Sequence, residues 1–277
     1  MTTTAVRTGL VEANGTKLYH EIRGDGPPVV FISGGGGDAG VYQAVAELLA
    51  DTYTVVTYDR RGNSRSPRPP GWTRTTTAEQ ADDCAALIET LGLERPVVFG
   101  SSAGGTILVS LIERHVPLIR GAIVHEPGLS AVSPKAAEAR ALLEKIASDG
   151  MTAGGPAAAM ERTFRWLLGD ELFESVPSDV RSRVRDNGEV LFGVERPGMS
   201  SFEPNADALA SASIPVHAAY GEDNEGTAAW WEGAAWVSRA TGGPLHVFPG
   251  GHTAFMDRPA EFTEALRPIL ESMTQEG

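Results

Sequence analysis

The sequence predicts an α/β chain: a mostly parallel sheet covered by helices on both faces, with one all-helical insertion. Three observations carry this. From about residue 78, short apolar strands alternate with amphipathic helices, the pattern of βαβ units around a parallel sheet. The alternation stops between about Gly128 and Ser213, where only helical periodicity is present, and then resumes. The chain has 277 residues, 42% hydrophobic and 21% charged, ordinary globular usage and enough to bury a core without staples. The expected division is a core of residues 1–127 and 214–277, with residues 128–213 inserted after the sixth strand as a helical cap.

The elements follow in order. Asn14-Gly15 is a hairpin turn before the strand Lys17–Ile22. Pro28–Ser33 (PVVFIS) is a fully buried strand running into Gly34–Gly37, and a helix through Val41, Val45, Leu48 and Leu49 comes next. Thr52–Tyr58 is a strand, and Arg60–Trp72 a polar Pro/Gly-rich loop. Helix Ala78–Leu91, strand Pro96–Gly100, helix Ala103–Arg114 and strand Gly121–Glu126 complete the first run. The insertion reads as helices Ala136–Ser148, Ala157–Leu168 and Val180–Phe192. Strand Ile214–Tyr220, helix Thr227–Ala240, strand Leu245–Phe248 and helix Ala260–Met273 close the chain.

Composition excludes several function classes. With 23 basic against 36 acidic residues the net charge is −13, against the Lys/Arg clustering that nucleic-acid binding needs. A single cysteine, Cys84, excludes an intramolecular disulfide and a multi-Cys metal site. The start, MTTTAVRTGL, lacks the apolar stretch of a signal peptide, and no apolar run is long enough to span a bilayer. A cytoplasmic protein without membrane or nucleic-acid partners is expected. The 32 glycines are in excess, and their positions carry the chemistry.

The sharpest motif is Val97-Val98-Phe99-Gly100-Ser101-Ser102-Ala103-Gly104-Gly105. A buried strand enters a helix through small-x-Ser-x-small, the pattern of a nucleophile elbow. The strained turn needs small residues two before and two after the nucleophile. Ser101 would put Phe99 in such a place, so Ser102 is the candidate. A serine hydroxyl needs a base. Of six histidines, His252 follows Pro249-Gly250-Gly251 just after the last strand, at the carboxyl edge of the sheet. Two carboxylates could orient it, Glu126 in His125-Glu126-Pro127 and Asp223 in Gly221-Glu222-Asp223-Asn224. Turn chemistry alone accounts for Asp223, whereas a carboxylate ending an apolar strand, as Glu126 does, is costly unless paired. Backbone N–H groups of the Gly34–Gly37 loop could join that of Ala103 as an oxyanion hole.

The same loop offers a rival reading. Gly35-x-Gly37-x-x-Gly40 opens a helix after a strand, and Asp59 with Arg60 and Arg61 ends the next strand, as in a dinucleotide site. A nicotinamide-dependent oxidoreductase would follow. It would leave the Ser102 elbow and His252 without use.

Taken together, the Gly34–Gly37 loop, the stretch Asp59-Arg60-Arg61-Gly62-Asn63-Ser64-Arg65-Ser66, the Ser102 elbow and Gly251-His252 resemble the α/β-hydrolase superfamily. The resemblance implies an eight-stranded sheet and a cofactor-free serine hydrolase. Ser-Ser at the elbow with His125-Glu126-Pro127 is similar to the zearalenone lactonase branch, and by that likeness Glu126 is the triad acid, with Gly35 and Ala103 supplying the oxyanion donors. The expected reaction is cleavage of a small-molecule carboxylic ester or lactone by Ser102, His252 and Glu126, without cofactor or metal. Carbon–carbon hydrolases and cofactor-free haloperoxidase-like enzymes share the same elbow, and a homodimer is compatible with the sequence. Trp166, Leu167, Leu168, Phe192 and Met199 are candidate pocket residues; Met151, Met160 and Trp230-Trp231 read as packing.

Overall fold

The computed structural model describes residues 5–225 and 229–275. Among them are eight strands: β1 (Arg7–Ala13), β2 (Thr16–Arg23), β3 (Pro28–Ile32), β4 (Thr54–Tyr58), β5 (Val97–Ser101), β6 (Gly121–His125), β7 (Val216–Gly221) and β8 (Leu245–Phe248). They form one sheet in the order β1-β2-β4-β3-β5-β6-β7-β8. Asn14 and Gly15, both with positive φ (47° and 71°), close the β1–β2 hairpin. The pairs β1–β2 and β2–β4 are antiparallel, and every later pair is parallel.

The central strands are apolar on both faces because both are covered. Val30, Ile32, Val98 and Val124 pack into one core with α2 (Thr77–Thr90) and α3 (Ala103–His115), after α1 (Gln43–Leu49) in the chain. Their neighbours Val29, Phe31, Phe99 and Ile123 point the other way, into a second core. Cys84 is buried in the first core, where desolvation pushes its thiol up to about 12.

The segment between β6 and β7 is helical, with no strand among its described residues, as expected. It comprises α4 (Pro134–Leu168), α5 (Asp170–Ser175), α6 (Ser178–Asp186), α7 (Gly188–Val190), a π turn at Leu191–Glu195, α8 (Arg196–Met199) and α9 (Ala206–Ala210). Within α4, Gly155 has φ 77° and precedes Pro156, so the helix breaks and restarts there. The continuous helix expected over Val180–Phe192 is interrupted at Asn187-Gly188. A Cβ on Gly188 would lie 2.2 Å from Pro156 O, so the glycine permits close approach of α4. Asn187 meanwhile turns its side chain to the core: Nδ2 donates to Gly36 O and to Ser64 Oγ, each at 2.8 Å. The chain closes with α10 (Ala229–Thr241), α11 (Ala254–Asp257) and α12 (Pro259–Thr274), the last packed on the second core through Phe262, Leu266 and Leu270. Residues 227 and 228 of the helix expected over Thr227–Ala240 lie outside the described residues. Among the described residues no helix is long and apolar enough to cross a membrane.

Candidate active site

The parallel strands end along one edge, and β5, β6, β7 and β8 deliver the candidate residues there in succession. Ser102 sits between β5 and α3 with φ 57° and ψ −123°, a conformation that is strained for a residue with a Cβ. The surrounding glycines make this turn sterically feasible. A Cβ on Gly100 would lie 2.4 Å from Gly104 O, and one on Gly104 only 2.1 Å from Ile32 O. The Ser102 N–H is held by His125 O at 3.1 Å. Ala103, at the start of α3, presents one of the first-turn N–H groups that have no partner within a helix.

The Gly34–Gly37 loop runs beside the elbow. Gly34 O accepts from Gly37 N–H and from Arg60 Nη2, both at 3.0 Å, which fixes the turn carrying Gly35. Arg60 is buried and paired with Glu195 of the insertion, its Nη1 2.6 Å from Oε1 and its Nη2 2.9 Å from Oε2. Arg183 adds a second tie, Nε to Asp38 Oδ2 at 2.7 Å.

Glu126 and Asp223 have different surroundings. Glu126 is fully buried at the end of β6, with φ 45°, and its Oε2 lies 2.5 Å from His252 Nδ1. Its other oxygen accepts from Gly221 N–H and Asn224 Nδ2, each at 2.8 Å. Burial alone would raise this carboxyl, but the His252 hydrogen bond, the neighbouring imidazoles and the Gly221 N–H outweigh it and bring it down to about 2. Asp223 lies on the exposed turn after β7, where its own N–H donates to Gly250 O. His125, directly before Glu126, is buried with its Nδ1 2.9 Å from Ser101 Oγ. Desolvation, with a smaller contribution from His252 and against the pull of Glu126, lowers it to about 4.

Ser102, Ala103, Gly35 and His252 all face one cavity of about 230 Å³. Of the expected pocket residues, Leu167, Phe192 and Met199 line it. Trp166 is instead 45% exposed, and Leu168 lines a small neighbouring void. Helical periodicity marked these two as apolar without fixing their direction. Met160 is buried packing and Met151 is exposed. Trp230, read from sequence as packing, is a cavity residue: its ring stacks on His252 with centroids 4.1 Å apart. Asn224 and Trp230 carried no sequence signal beyond their nearness to strand β7.

The dinucleotide reading finds no room. Asp59 is fully buried, its oxygens taken by Ala39 N–H at 2.7 Å and by Arg65 Nε and Nη2 at 2.7 and 2.9 Å. A Cβ on Gly40 would lie 2.8 Å from Val180 of the insertion, which therefore occupies the space over the glycine turn.

A family model described as the alpha/beta hydrolase fold matches residues 27–159. An uncharacterized hydrolase of Bacillus subtilis (strain 168), YraK, is 28% identical over 272 residues, covering 96% of this chain and 97% of its own. The zearalenone hydrolase of Bionectria ochroleuca is 30% identical over 123 residues, 43% of this chain and 47% of its own. Among solved structures, a thermophilic esterase of Thermogutta terrifontis superposes with a TM-score of 0.78 at 23% identity, covering 97% of this chain and 99% of the other. Sheet order, elbow, family match and full-length similarity to a hydrolase agree, and the chain has the α/β-hydrolase fold.

Proposed function

We propose that the chain is a serine hydrolase that cleaves a small carboxylic ester or lactone through Ser102, His252 and Glu126 and needs no cofactor. The observation that carries this reading is the 2.5 Å contact between Glu126 Oε2 and His252 Nδ1, in a cavity that also holds the strained Ser102. With Nδ1 committed to Glu126, Nε2 is the ring nitrogen left to accept the Ser102 proton. Ser102 Oγ attacks the carbonyl, the N–H groups of Gly35 and Ala103 hold the oxyanion, and the imidazolium returns its proton to the leaving alcohol. Water then cleaves the acyl-enzyme by the same route. The helices of residues 128–213 act as a cap, lining the cavity with Leu167, Phe192 and Met199. Likeness to an esterase and to a zearalenone hydrolase supports ester or lactone bonds as the target.

Turnover of 4-nitrophenyl acetate by wild type, Ser102→Ala, Glu126→Gln and Asp223→Asn tests the assignment. Ser102→Ala is expected to be inactive, and Glu126→Gln to lose on the order of 10⁴-fold in kcat, as when a triad acid becomes an amide. Asp223→Asn is expected to stay within about threefold, as a surface change away from the reacting groups. Activity surviving in Ser102→Ala rejects the mechanism; loss in Asp223→Asn with a normal Glu126→Gln reassigns the acid.

A further inference from the structure

The cavity contains a charge pattern that the ester reaction itself does not use. Its described lining residues include no Asp or Glu, but two arginines of the cap, Arg140 on α4 and Arg196 on α8, face into it. Both lean on a single carboxylate outside the lining: Glu144 Oε1 is 3.7 Å from Arg140 Nε and 3.3 Å from Arg196 Nη2. Two cations against one anion leave a net positive charge at the cavity wall. Arg140 Nε is moreover buried without a hydrogen-bond partner among the described residues, an arrangement that costs free energy unless water or a ligand completes it.

Arg196 is held firmly. Its neighbour Glu195 is buried against Arg60, and Gly198 lies so close to Thr75 that a Cβ would be 1.7 Å from its carbonyl oxygen. Burial depresses the Arg196 guanidinium; Glu144 counters this and the nearby Arg140 adds to it, so a bound anion would relieve both adverse effects. The −13 charge of the whole chain does not oppose such binding at short range, because exposed acids are screened beyond a Debye length of about 8 Å.

We infer that Arg140 and Arg196 form a carboxylate-binding subsite. The preferred substrate is then an ester or lactone that bears a second, ionised carboxylate away from the bond being cleaved. The inference rests on the ester reading of this cavity and adds a substrate class to it. A guanidinium fork matches a carboxylate in a bidentate manner, whereas a neutral chain end would leave the positive charge in excess of Glu144 unanswered.

The test compares monomethyl glutarate with methyl pentanoate, equal in acyl length and differing in charge, by following proton release at pH 7. The ratio of their kcat/KM values is expected to favour the hemiester by about tenfold or more, the worth of one charge-assisted hydrogen bond. That ratio should fall toward unity in Arg196→Gln and in Arg140→Gln, and be partly kept in Arg196→Lys. A wild-type ratio at or below one, or a ratio that neither glutamine substitution changes, overturns the subsite. If neither ester is hydrolysed, the ester reading fails and calorimetric binding of glutarate decides the subsite by itself. Binding about tenfold weaker in Arg196→Gln than in wild type supports it, and equal affinity overturns it.

Discussion

The indole of Trp230 covers the imidazole of His252, with ring centroids 4.1 Å apart and planes 18° from parallel. Because the other edge of the imidazole is fixed by Glu126, the stack leaves the ring little freedom to tilt. In the proposed mechanism, an aromatic face also favours the imidazolium that forms as Ser102 gives up its proton. Trp230→Ala is expected to remove about 0.5–1.5 kcal/mol of this support, a loss of roughly two- to tenfold in kcat. Trp230→Phe should keep most of the activity. Steady-state kinetics on both variants check this, and an unchanged kcat in Trp230→Ala would remove the indole from the mechanism.

The elbow is expected to tolerate no methyl group added at Gly100 or Gly104. Gly104→Ala and Gly100→Ala would drive a Cβ into backbone oxygens 2.1 and 2.4 Å away. Gly105→Ala meets His125 O at 3.1 Å, a contact that small shifts can relieve. Thermal unfolding should rank Gly104→Ala and Gly100→Ala several degrees or more below Gly105→Ala, since 1 kcal/mol shifts Tm by roughly 2–4 °C in a chain of about this size.

Acid is expected to weaken the fold in two successive windows. The folded pKa of His125, about 4, lies below the ordinary 6.5. Between these values the unfolded chain takes up a proton that the native state refuses, so stability falls as the pH drops from 6.5 to 4, by on the order of 3 kcal/mol. Glu126, at about 2 instead of 4.5, contributes stability that is complete above pH 4.5 and is lost as the pH falls toward 2. Urea denaturation between pH 7 and pH 4 should therefore show a shallower loss in His125→Gln than in wild type. Parallel curves for the two proteins would contradict the first window.

The ion pair Arg60–Glu195 permits a test that separates stability from activity. Removing one partner, as in Glu195→Ala, leaves a buried guanidinium without its counter-charge and is expected to cost about 3–5 kcal/mol. Arg60→Met/Glu195→Leu replaces the pair with apolar bulk and should recover most of that stability. It also deprives Gly34 O of its Arg60 donor, so ester turnover should stay reduced by roughly tenfold, the value of one such hydrogen bond. A double variant as active as wild type would show that Arg60 does not position the loop.

The sequence made some parts of this site legible because their physics is local. Ser102 was identifiable from the small residues that its turn demands, and His252 from its place after the last strand. Glu126 was separable from Asp223 only through the cost of ending an apolar strand in a carboxylate, and the geometry follows that argument: Glu126 is buried and bonded to His252, while Asp223 faces solvent. What escaped were contacts between distant segments. Glu195 meets Arg60 across 135 positions, and Asn187 meets Gly36 across 151. Helical periodicity shows that a residue belongs to a helix but not which loop that helix will lie upon. Trp166 and Leu168 illustrate the same gap, since their apolar character said nothing of direction.

Asn187 has a further consequence, because it clasps both the Gly36 carbonyl and Ser64, whose N–H returns a bond to its Oδ1 at 2.6 Å. The loop proposed to receive the oxyanion is thus partly held by the inserted helices that line the same cavity. A guest too bulky for those helices to seat would meet a serine whose electrophilic partner site has come apart. Oversized esters should therefore occupy the protein and stall, acting as inhibitors. Selection by size would then appear in the rate of turnover and not in the strength of binding.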